Sequence, residues 1–527
     1  MVLETPVLED FGGVTNLEFP RFERWRSIEK SCWINRCYFL APMARMAWLK
    51  DDADLAHIVM QVMLHFHRTC PAPADLEAHW QRVTSRMQED YNSKSPEEIA
   101  KDETDVEYIW YDMQPGQRLL IFLYAGYFLW NNPGVTEAER IELLACLKRH
   151  TRVLADQELF QQSYCDNHQS LRSMVLYYAL PLLADEPDFA QVEAMTFHLS
   201  SWHVLNEFLT SGMLFEYSPS YQAFALWHAR DFQSLARQRG ARLDAKVERR
   251  IAAAAAAQAC FRRPDNLTLT INDAYQFDAT ALLASLGSGI KVPDVAVLNP
   301  GGLAVAHVGD CYAAIDASGF IGKFSHYHGG KNSPVVLYKG VPFLEEAGCP
   351  SYDTPEFADC KKALWHSSML VDGEGDTHQF GLYGFDGWAE LEYAQEWTQG
   401  ADGAMRFAAK ETSNVPAWAG VTWKRTVAAT GSSVEFTDVV QANKLHTYTL
   451  MFNFAPGASV MPGKDASEWV IENGGVTARF LIASETRFAA QLVTIGNCQQ
   501  KACRKALQLN ITFEPAATLN AVSRINF

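Results

Sequence analysis

The sequence predicts a multidomain α+β protein in which a large helical domain, residues 1–290, precedes an antiparallel β-sandwich domain, residues 291–527. Three observations indicate this division. The hydrophobic pattern has a helical period in the first half and alternates in the second. Glycine and proline cluster between Ser285 and Gly302, where the two patterns meet. A chain of 527 residues with 48% hydrophobic residues can also bury more than one core.

Helical periodicity dominates the first half. Glu137 to Asp156 places its leucines three, four and seven residues apart, which gives one apolar face and a charged back. Met43 to His67 has a similar rhythm, and Ser170 to Leu183 is long and apolar with a proline near its end. Ile251 to Cys260 is almost all alanine, the strongest helix former. These segments predict stacked helix pairs.

Alternation dominates the second half. His446 to Phe454 places large apolar residues at every second position, as a half-buried strand requires. Val434 to Val440 and Val476 to Ile482 are also typical of strands, and glycine, asparagine and serine clusters separate them. Many short strands joined by such turns favour packed antiparallel sheets.

The charge excludes some functions. The sequence has 45 Lys and Arg against 62 Asp and Glu, a formal net charge of −17. This balance argues against a general nucleic-acid binder, which needs a basic surface. The longest apolar stretch, Leu119 to Trp130, is too short to cross a bilayer, so we expect no membrane partner. No signal peptide is visible, so we expect a cytoplasmic protein, or a periplasmic or secreted one if a signal has been removed.

The 11 cysteines are scattered, with close pairs only at Cys32/Cys37 and Cys498/Cys503. In a chain of this length we expect reduced, buried thiols. We expect neither a disulfide framework nor a cysteine-based zinc site.

Two segments of the first half carry candidate catalytic groups. Asn167 and His168 precede an apolar helix, where they either cap the helix or project into a cleft at its mouth. Arg172 lies one turn later and can meet an anionic substrate. Further on, Pro219 breaks regular structure between polar aromatic residues. Tyr221 there is either a packing residue or a proton donor or acceptor.

The third segment, His326-Tyr327-His328, lies in the second half. On a strand, its two imidazoles would point to the same face. Glu346 and His366 follow downstream. Two histidines and one carboxylate form a common zinc site, with water as the fourth ligand. The alternative is a chance cluster of histidines without a metal.

Taken in order, these segments resemble the heparinase II/III-like polysaccharide lyases. The pattern Glu-x-Ser-Pro-x-Tyr of that family is similar to residues 216–221, and its His-x-His is similar to residues 326–328. Residues 340–348 and 366–373 resemble two further family motifs. Glu346 stands where the family has aspartate, and Gly330 stands where an acidic residue often follows the His-x-His.

The resemblance implies an N-terminal (α/α) toroid before the β-sandwich and a β-elimination at uronic acids. It implies catalytic roles for Asn167, His168, Tyr221 and His326. Asn167 would neutralise the uronate carboxylate, and Tyr221 would transfer a proton. The metal ligands would be His328, Glu346 and His366, holding a divalent ion, most simply zinc, in a structural role. No organic cofactor is expected.

The implied partner is an anionic polysaccharide or oligosaccharide, and the sequence leaves open a homo-oligomer. On an acidic protein such a substrate needs a locally positive groove. Candidate cations are Arg118, Arg172, Arg230 and Lys331, each of which can equally be a surface charge. Glu216 and Tyr352 complete the predicted substrate-binding residues.

The leading hypothesis is a lyase for glycosaminoglycans. Alginate or oligoalginate is the alternative substrate within the same chemistry. A glycoside hydrolase would need two carboxylates flanking the bond. Glu216 is one candidate, and the sequence suggests no convincing partner for it. A non-catalytic carbohydrate-binding protein on the same frame is the third alternative.

Overall fold

The structure is a computed structural model. It describes residues 13–17, 19, 35–93, 108–161, 167–287, 289–320, 326–351, 354, 356–380 and 384–527. Within this part of the chain, helices occupy the N-terminal region and antiparallel sheets follow, which confirms the predicted fold class.

All but one of the described α-helices precede the first strand. In chain order, the helices are α1 (Leu40–Lys50), α2 (Ala53–Thr69), α3 (Leu76–Ser93), α4 (Gln114–Leu129), α5 (Glu137–Phe160), α6 (Asn167–Ala179), α7 (Phe189–Glu207), α8 (Pro219–Gln238), α9 (Ala245–Cys260), α10 (Ala279–Leu286) and α11 (Glu356–Cys360). Short 3₁₀ turns lie at Val14–Asn16, Tyr108–Trp110, Leu180–Leu183, Ala363–Trp365 and Pro416–Trp418.

Side-chain caps explain several helix starts. Thr136 and Glu139 form a reciprocal capping box at the start of α5. Asp244 and Asp278 accept backbone N–H groups at the starts of α9 and α10. These caps fix the helix ends at the positions where the apolar pattern begins.

The first sheet has five strands that lie side by side in chain order, and it is antiparallel throughout. Its strands are β1 (Val295–Leu298), β2 (Leu303–Val308), β3 (Cys311–Asp316), β4 (Ser333–Tyr338) and β5 (Val341–Leu344). A second five-stranded sheet is formed by β6 (Gly348–Pro350), β7 (Met369–Val371), β15 (Tyr448–Asn453), β19 (Phe488–Lys501) and β20 (Arg504–Phe513). Its order is β6-β19-β20-β15-β7, and only β6 pairs in parallel.

The largest sheet has nine strands. They are β10 (Ala389–Tyr393), β11 (Thr398–Gln399), β12 (Met405–Ser413), β13 (Thr422–Ala429), β14 (Ser433–His446), β16 (Ser459–Pro462), β17 (Glu468–Asn473), β18 (Val476–Ser484) and β21 (Ala516–Asn526). The order is β10-β12-β13-β14-β21-β18-β17-β16, with β11 beside β12. A small hairpin joins β8 (His378–Phe380) and β9 (Gly384–Gly387).

One hydrophobic core lies among the three large sheets. It contains Ile315 from the first sheet, Trp423 and Phe436 from the nine-stranded sheet, and Phe452 and Ile511 from the other five-stranded sheet, all at most 1% exposed. Large apolar side chains contributed by facing sheets are the pattern of a sandwich core.

The helical predictions were right in kind and less accurate in extent. The segment predicted from Met43 to His67 is two helices, because Asp51 adopts a left-handed conformation and Asp52 caps the second helix. The segment ending at Leu183 leaves the α-helix after Ala179 and continues as a 3₁₀ turn that contains Pro181.

The chain divides into two compact units. Unit 1 comprises residues 1–203 and 231–242, and unit 2 comprises residues 204–230 and 243–527. The last helix before the sheets ends at Leu286 and the first strand begins at Val295. The predicted domain boundary at residue 290 follows this change of secondary structure and stays a prediction, since the compact units divide the chain elsewhere.

One expectation about the cysteines needs correction. Cys498 and Cys503 form a disulfide where β19 turns into β20. The other described cysteines are buried thiols, as predicted: Cys37, Cys70, Cys146, Cys260, Cys311, Cys349 and Cys360. Among the described residues, no helix is long and apolar enough to span a bilayer.

Candidate functional site

Two of the predicted catalytic residues meet in unit 2. The ring of Tyr221, in the first turn of α8, stacks on the imidazole of His326 with centroids 3.5 Å apart and planes 21° apart. Ser218 accepts the backbone N–H of Tyr221 at 3.4 Å, and Pro219 occupies the first helical position. The helix start therefore sets the direction of the Tyr221 side chain toward His326.

A buried carboxylate that the sequence did not single out holds the histidines. Asp273 is 1% exposed, and its two oxygens contact His326 Nδ1 at 3.0 Å and His328 Nε2 at 2.6 Å. Burial alone would raise the pKa of Asp273. The charge of Lys361 and the two imidazole N–H groups hold that pKa well below its usual value. Asp273 is therefore an ionised acceptor for both rings.

Hydrogen bonds tie the three segments of this site together. Ser218 Oγ donates to the carbonyl of Asp273 at 2.7 Å, and Asn272 Nδ2 donates to the carbonyl of Tyr217 at 2.9 Å. The backbone N–H of His328 donates to Asn272 Oδ1 at 3.0 Å. The loop at Asn272 and Asp273 thus fixes the start of α8 and the His-x-His segment in one arrangement.

Glu216 completes the surroundings of His326. Its side chain is 3% exposed, and its Oε2 lies 3.5 Å from His326 Nε2. Asp273 contacts the other ring nitrogen, Nδ1, so the imidazole lies between two carboxylates. Glu216 was predicted as a substrate-binding residue, and the structure places it against His326.

The His-x-His segment is not on a strand, which corrects the sequence expectation. His326 to His328 form a turn and irregular backbone before β4, and Gly330 has a φ of +75°. A Cβ atom at Gly330 would lie 2.6 Å from His366 Cβ. This close approach explains why glycine, and not a larger acidic residue, occupies the position in this chain.

In unit 1, a second network surrounds the other two predicted catalytic residues. Asn167 is 7% exposed and begins α6. His168 Nδ1 contacts Asp112 Oδ2, and Arg172 Nη1 donates to Asp112 Oδ1. Burial alone would raise the pKa of Asp112, but the charges of His168 and Arg172 lower it to about 2. His168 therefore has a fixed orientation and is one-third exposed.

The predicted substrate contacts of two arginines are not supported. Arg172 is fully buried, and its Nε donates to Glu158 at 2.7 Å. Arg118 is also fully buried and donates at 2.9 Å to His150, to the Asn35 carbonyl and to the Ile109 carbonyl. Burial lowers the pKa of Arg118 to about 10. Both guanidinium groups are completely buried and hydrogen-bond other residues of unit 1. They cannot contact a polymer in this arrangement.

The other two candidate cations also have protein partners. Lys331 is 1% exposed, and its Nζ donates to Asn272 at 2.9 Å and to Asp316 at 2.8 Å. Arg230 Nη2 donates to the carbonyl of Leu286. Tyr352 lies outside the described residues, so its predicted role stays a prediction.

His366 and Glu346, two of the three predicted metal ligands, are held by protein groups in this structure, which leaves the predicted metal to be tested. His366 directs Nδ1 to Glu346 Oε2 at 2.5 Å and Nε2 to the Cys360 carbonyl at 2.8 Å, so both ring nitrogens face oxygen acceptors. A metal ligand needs a free nitrogen lone pair. His328 Nε2 contacts Asp273, while its Nδ1 is buried with no hydrogen-bond partner among the described residues, and Ser333 Oγ donates to Glu346. No group of three metal-binding side chains is assembled within the described ranges.

Sequence reasoning missed Asp112, Asp273 and Lys361. Asp273 is the only charged residue between Leu267 and Phe277, a stretch that is largely apolar, aromatic or threonine, and Asp112 follows an aromatic run. A charged residue inside such a stretch is a signal of a buried, paired group, because an unpaired buried charge is costly. That signal was available in the sequence.

The sheet region is similar to one known family. Residues 291–513 match the family model described as heparinase II/III-like, C-terminal. This region is similar to the C-terminal domain of that family. The resemblance inferred from the sequence motifs is therefore confirmed for the heparinase II/III-like domain. A search of curated proteins gives no match.

Solved structures share the fold over most of the chain. Heparinase III is 13% identical, with 94% of this chain and 76% of that chain covered and a TM-score of 0.73. The heparan sulfate lyase HepC from Pedobacter heparinus has the same identity and coverage, with a TM-score of 0.63. The chondroitin lyase ODV-E66, a baculovirus envelope protein, is 8% identical with a TM-score of 0.50, covering 99% of this chain and 80% of that chain. At these identities the likeness establishes the fold.

Proposed function

We propose that this protein is a polysaccharide lyase that cleaves uronate-containing glycosaminoglycans by β-elimination. The observation that carries the proposal is the stacking of Tyr221 on His326, with Asp273 and Glu216 on the two ring nitrogens. The heparinase II/III-like domain and the shared fold with glycosaminoglycan lyases support the same substrate class.

The reaction requires removal of a weakly acidic proton. A base takes the proton from C5 of the uronate, the bond from C4 to the glycosidic oxygen breaks, and a C4=C5 double bond forms. The negative charge that develops at the carboxylate must be stabilised by hydrogen-bond donors. The departing oxygen must receive a proton.

The residues of this chain suit these tasks. We assign the proton transfers to Tyr221 and His326, because a phenol and an imidazole in contact can give and take protons. We assign neutralisation of the uronate carboxylate to Asn167, whose amide donates without needing protonation. His168, oriented by Asp112, assists in that role. Both of these assignments follow the family resemblance.

The arrangement in unit 2 favours elimination over hydrolysis. A glycosidase needs two carboxylates separated by space for the bond and, in inverting enzymes, for a water molecule. Between Glu216 and Asp273 the space is taken by the His326 ring, which contacts both. These two carboxylates are therefore better suited to orient an imidazole than to flank a sugar bond.

The proposed lyase activity is tested on a panel of four polymers. The purified protein is incubated with heparan sulfate, chondroitin sulfate, hyaluronan and alginate, and the ultraviolet absorbance of the new double bond is followed. We expect a rise with at least one glycosaminoglycan. A rise with alginate alone would support the alternative substrate. New reducing ends without absorbance would contradict the proposal and indicate a hydrolase, and binding without either product would indicate a non-catalytic protein.

A further inference from the structure

We infer that Lys361 is a positioning residue for the proposed reaction, because its buried ammonium holds the Asp273 carboxylate that orients His326. The inference rests on the proposed function, since it matters for catalysis only if His326 takes part in the elimination. Lys361 is 35 residues from His326 in the sequence and belongs to none of the motifs that suggested the family.

Lys361 contacts both Asp273 and the backbone that follows the His-x-His segment. Its side chain is fully buried, and its Nζ lies 3.2 Å from Asp273 Oδ2, the same oxygen that contacts His326 Nδ1. Its carbonyl accepts the backbone N–H of Gly329 at 2.8 Å, directly after the His-x-His segment. Its ammonium also lies 4.9 Å from the ring of Phe357. One residue thus holds both the carboxylate and the chain that carries the histidines.

The neighbouring lysine shows what an ordinary surface lysine does in the same segment. Lys362 is 52% exposed, and its Nζ donates to Asp359 at 2.7 Å on the surface. Exposed pairs of this kind contribute little to stability. Burying an ammonium is costly unless it is paired, so the burial of Lys361 requires the carboxylate of Asp273. Lys362 is therefore a matched control for Lys361.

The position of Asp273 determines how the ring of His326 is oriented. Because Asp273 takes the N–H of His326 at Nδ1, the nitrogen that the ring presents on its other edge is Nε2, the one near Glu216. A carboxylate that accepts the N–H of one imidazole nitrogen fixes the tautomer of the ring. It therefore determines which nitrogen can exchange protons with a substrate. Loss of Lys361 would free Asp273 to shift and would let the ring of His326 turn.

The experiment compares Lys361→Met with Lys362→Met on the polymer that the wild-type protein cleaves. We expect Lys361→Met to lower kcat by about tenfold or more, as when a catalytic imidazole loses its orientation. We expect KM to change by less than about twofold, since Lys361 is buried and does not contact the polymer. Lys362→Met should retain wild-type kcat. Unchanged kcat in Lys361→Met, or an effect on KM alone, would overturn the inference.

A double-mutant cycle separates positioning from general damage to the fold. If Lys361 acts through Asp273, adding Lys361→Met to Asp273→Asn should not lower kcat further. An equal loss in both backgrounds would overturn the inference. The double variant also removes both buried charges together, so it keeps the test decisive if Lys361→Met alone does not fold.

A spectroscopic readout does not depend on activity. In protein labelled with ¹⁵N-histidine, the wild-type signals of His326 should show a protonated Nδ1, and Lys361→Met should change them. Identical His326 signals in both proteins would overturn the inference. Absence of any cleavage by the wild-type protein would instead count against the proposed function, so the two failures are distinguishable.

Discussion

The ring of Tyr221 lies flat against the imidazole of His326, with ring centroids 3.5 Å apart. The two residues are 105 positions apart in the sequence, and they come from two different motifs of the heparinase II/III-like pattern. Hydrogen bonds of Ser218 and Asn272 hold the backbone next to both residues, at Tyr217, Asp273 and His328. The proposed elimination depends on this pair as a unit that moves protons.

The Tyr221 hydroxyl should be required for the reaction and dispensable for the fold. Tyr221→Phe keeps the aromatic ring against His326 and removes only the proton-transferring group. We expect kcat to fall by about 10²–10⁴-fold with an unchanged melting temperature. Steady-state kinetics and thermal melting check this, with the exposed Tyr124→Phe as the control. Near-normal kcat in Tyr221→Phe would remove Tyr221 from the mechanism.

The amide of Asn167 should act on the charge that develops at the uronate. Asn167→Ala removes a donor suited to stabilise the developing enolate, so we expect kcat to fall by about 10²–10³-fold. The exposed Asn131→Ala provides a matched control and should retain wild-type kcat. If Asn167→Ala changed only the melting temperature, the residue would be a helix-start residue without a catalytic role.

Asp112 should make the free energy of unfolding depend on pH in the acidic range. Its pKa is about 2 in the folded state and 3.8 ordinarily, so folding favours its ionised form. The resulting stabilisation, on the order of 2 kcal/mol, is complete above pH 3.8 and is lost as the pH falls toward about 2.

We therefore expect Asp112→Asn to be less stable than the wild-type protein at neutral pH, and the difference to shrink as the pH falls through this window. Denaturant unfolding at a series of pH values measures it, with the exposed Asp54→Asn as the control. A difference between the wild-type protein and Asp112→Asn that does not vary with pH would contradict this explanation.

Removal of metal should leave the sheet region unchanged. Glu346 and His366 satisfy each other and contact Ser333 and the Cys360 carbonyl, so the protein itself supplies the partners that an ion would supply. We expect a chelator to leave the melting temperature unchanged, and elemental analysis to find no stoichiometric metal. A clear fall in melting temperature on chelation would show that a metal rearranges these side chains.

The buried pair of Glu346 and His366 should stabilise the fold. Glu346→Gln leaves His366 without its charged partner inside the protein, where breaking such a pair costs about 3–5 kcal/mol. We expect a lower melting temperature for Glu346→Gln, whether or not a chelator is present. The matched control is Glu390→Gln, an exposed position on β10 where we expect no measurable change.

The order of secondary structure was readable from the sequence because hydrophobic periods are local. The helix from Glu137 and the strand at Val434 were both predicted close to their observed starts. The break at Asp51 and Asp52 was missed, since a cap inside a continuous apolar rhythm changes the period very little. The strand expected at His326 fails for a local reason, the turn that leads to Gly330.

Pairings over long sequence separations were not readable. Asp273 is 53 residues from His326 and 88 residues from Lys361. The charge of each is satisfied only by the tertiary fold, and hydrophobic periodicity carries no information about such partners. The same limit explains Arg118 and Arg172, which were assigned to the substrate because a single sequence does not distinguish a buried cation from an exposed one.

The most direct test of the proposed elimination is the mass of the smallest product released from the polymer that the protein cleaves. Elimination leaves an unsaturated uronate at the new non-reducing end, so the product should weigh one water less than the corresponding hydrolysis product. Proton NMR should show the vinylic hydrogen at C4. A saturated product, heavier by one water and without a vinylic signal, would contradict the proposed elimination.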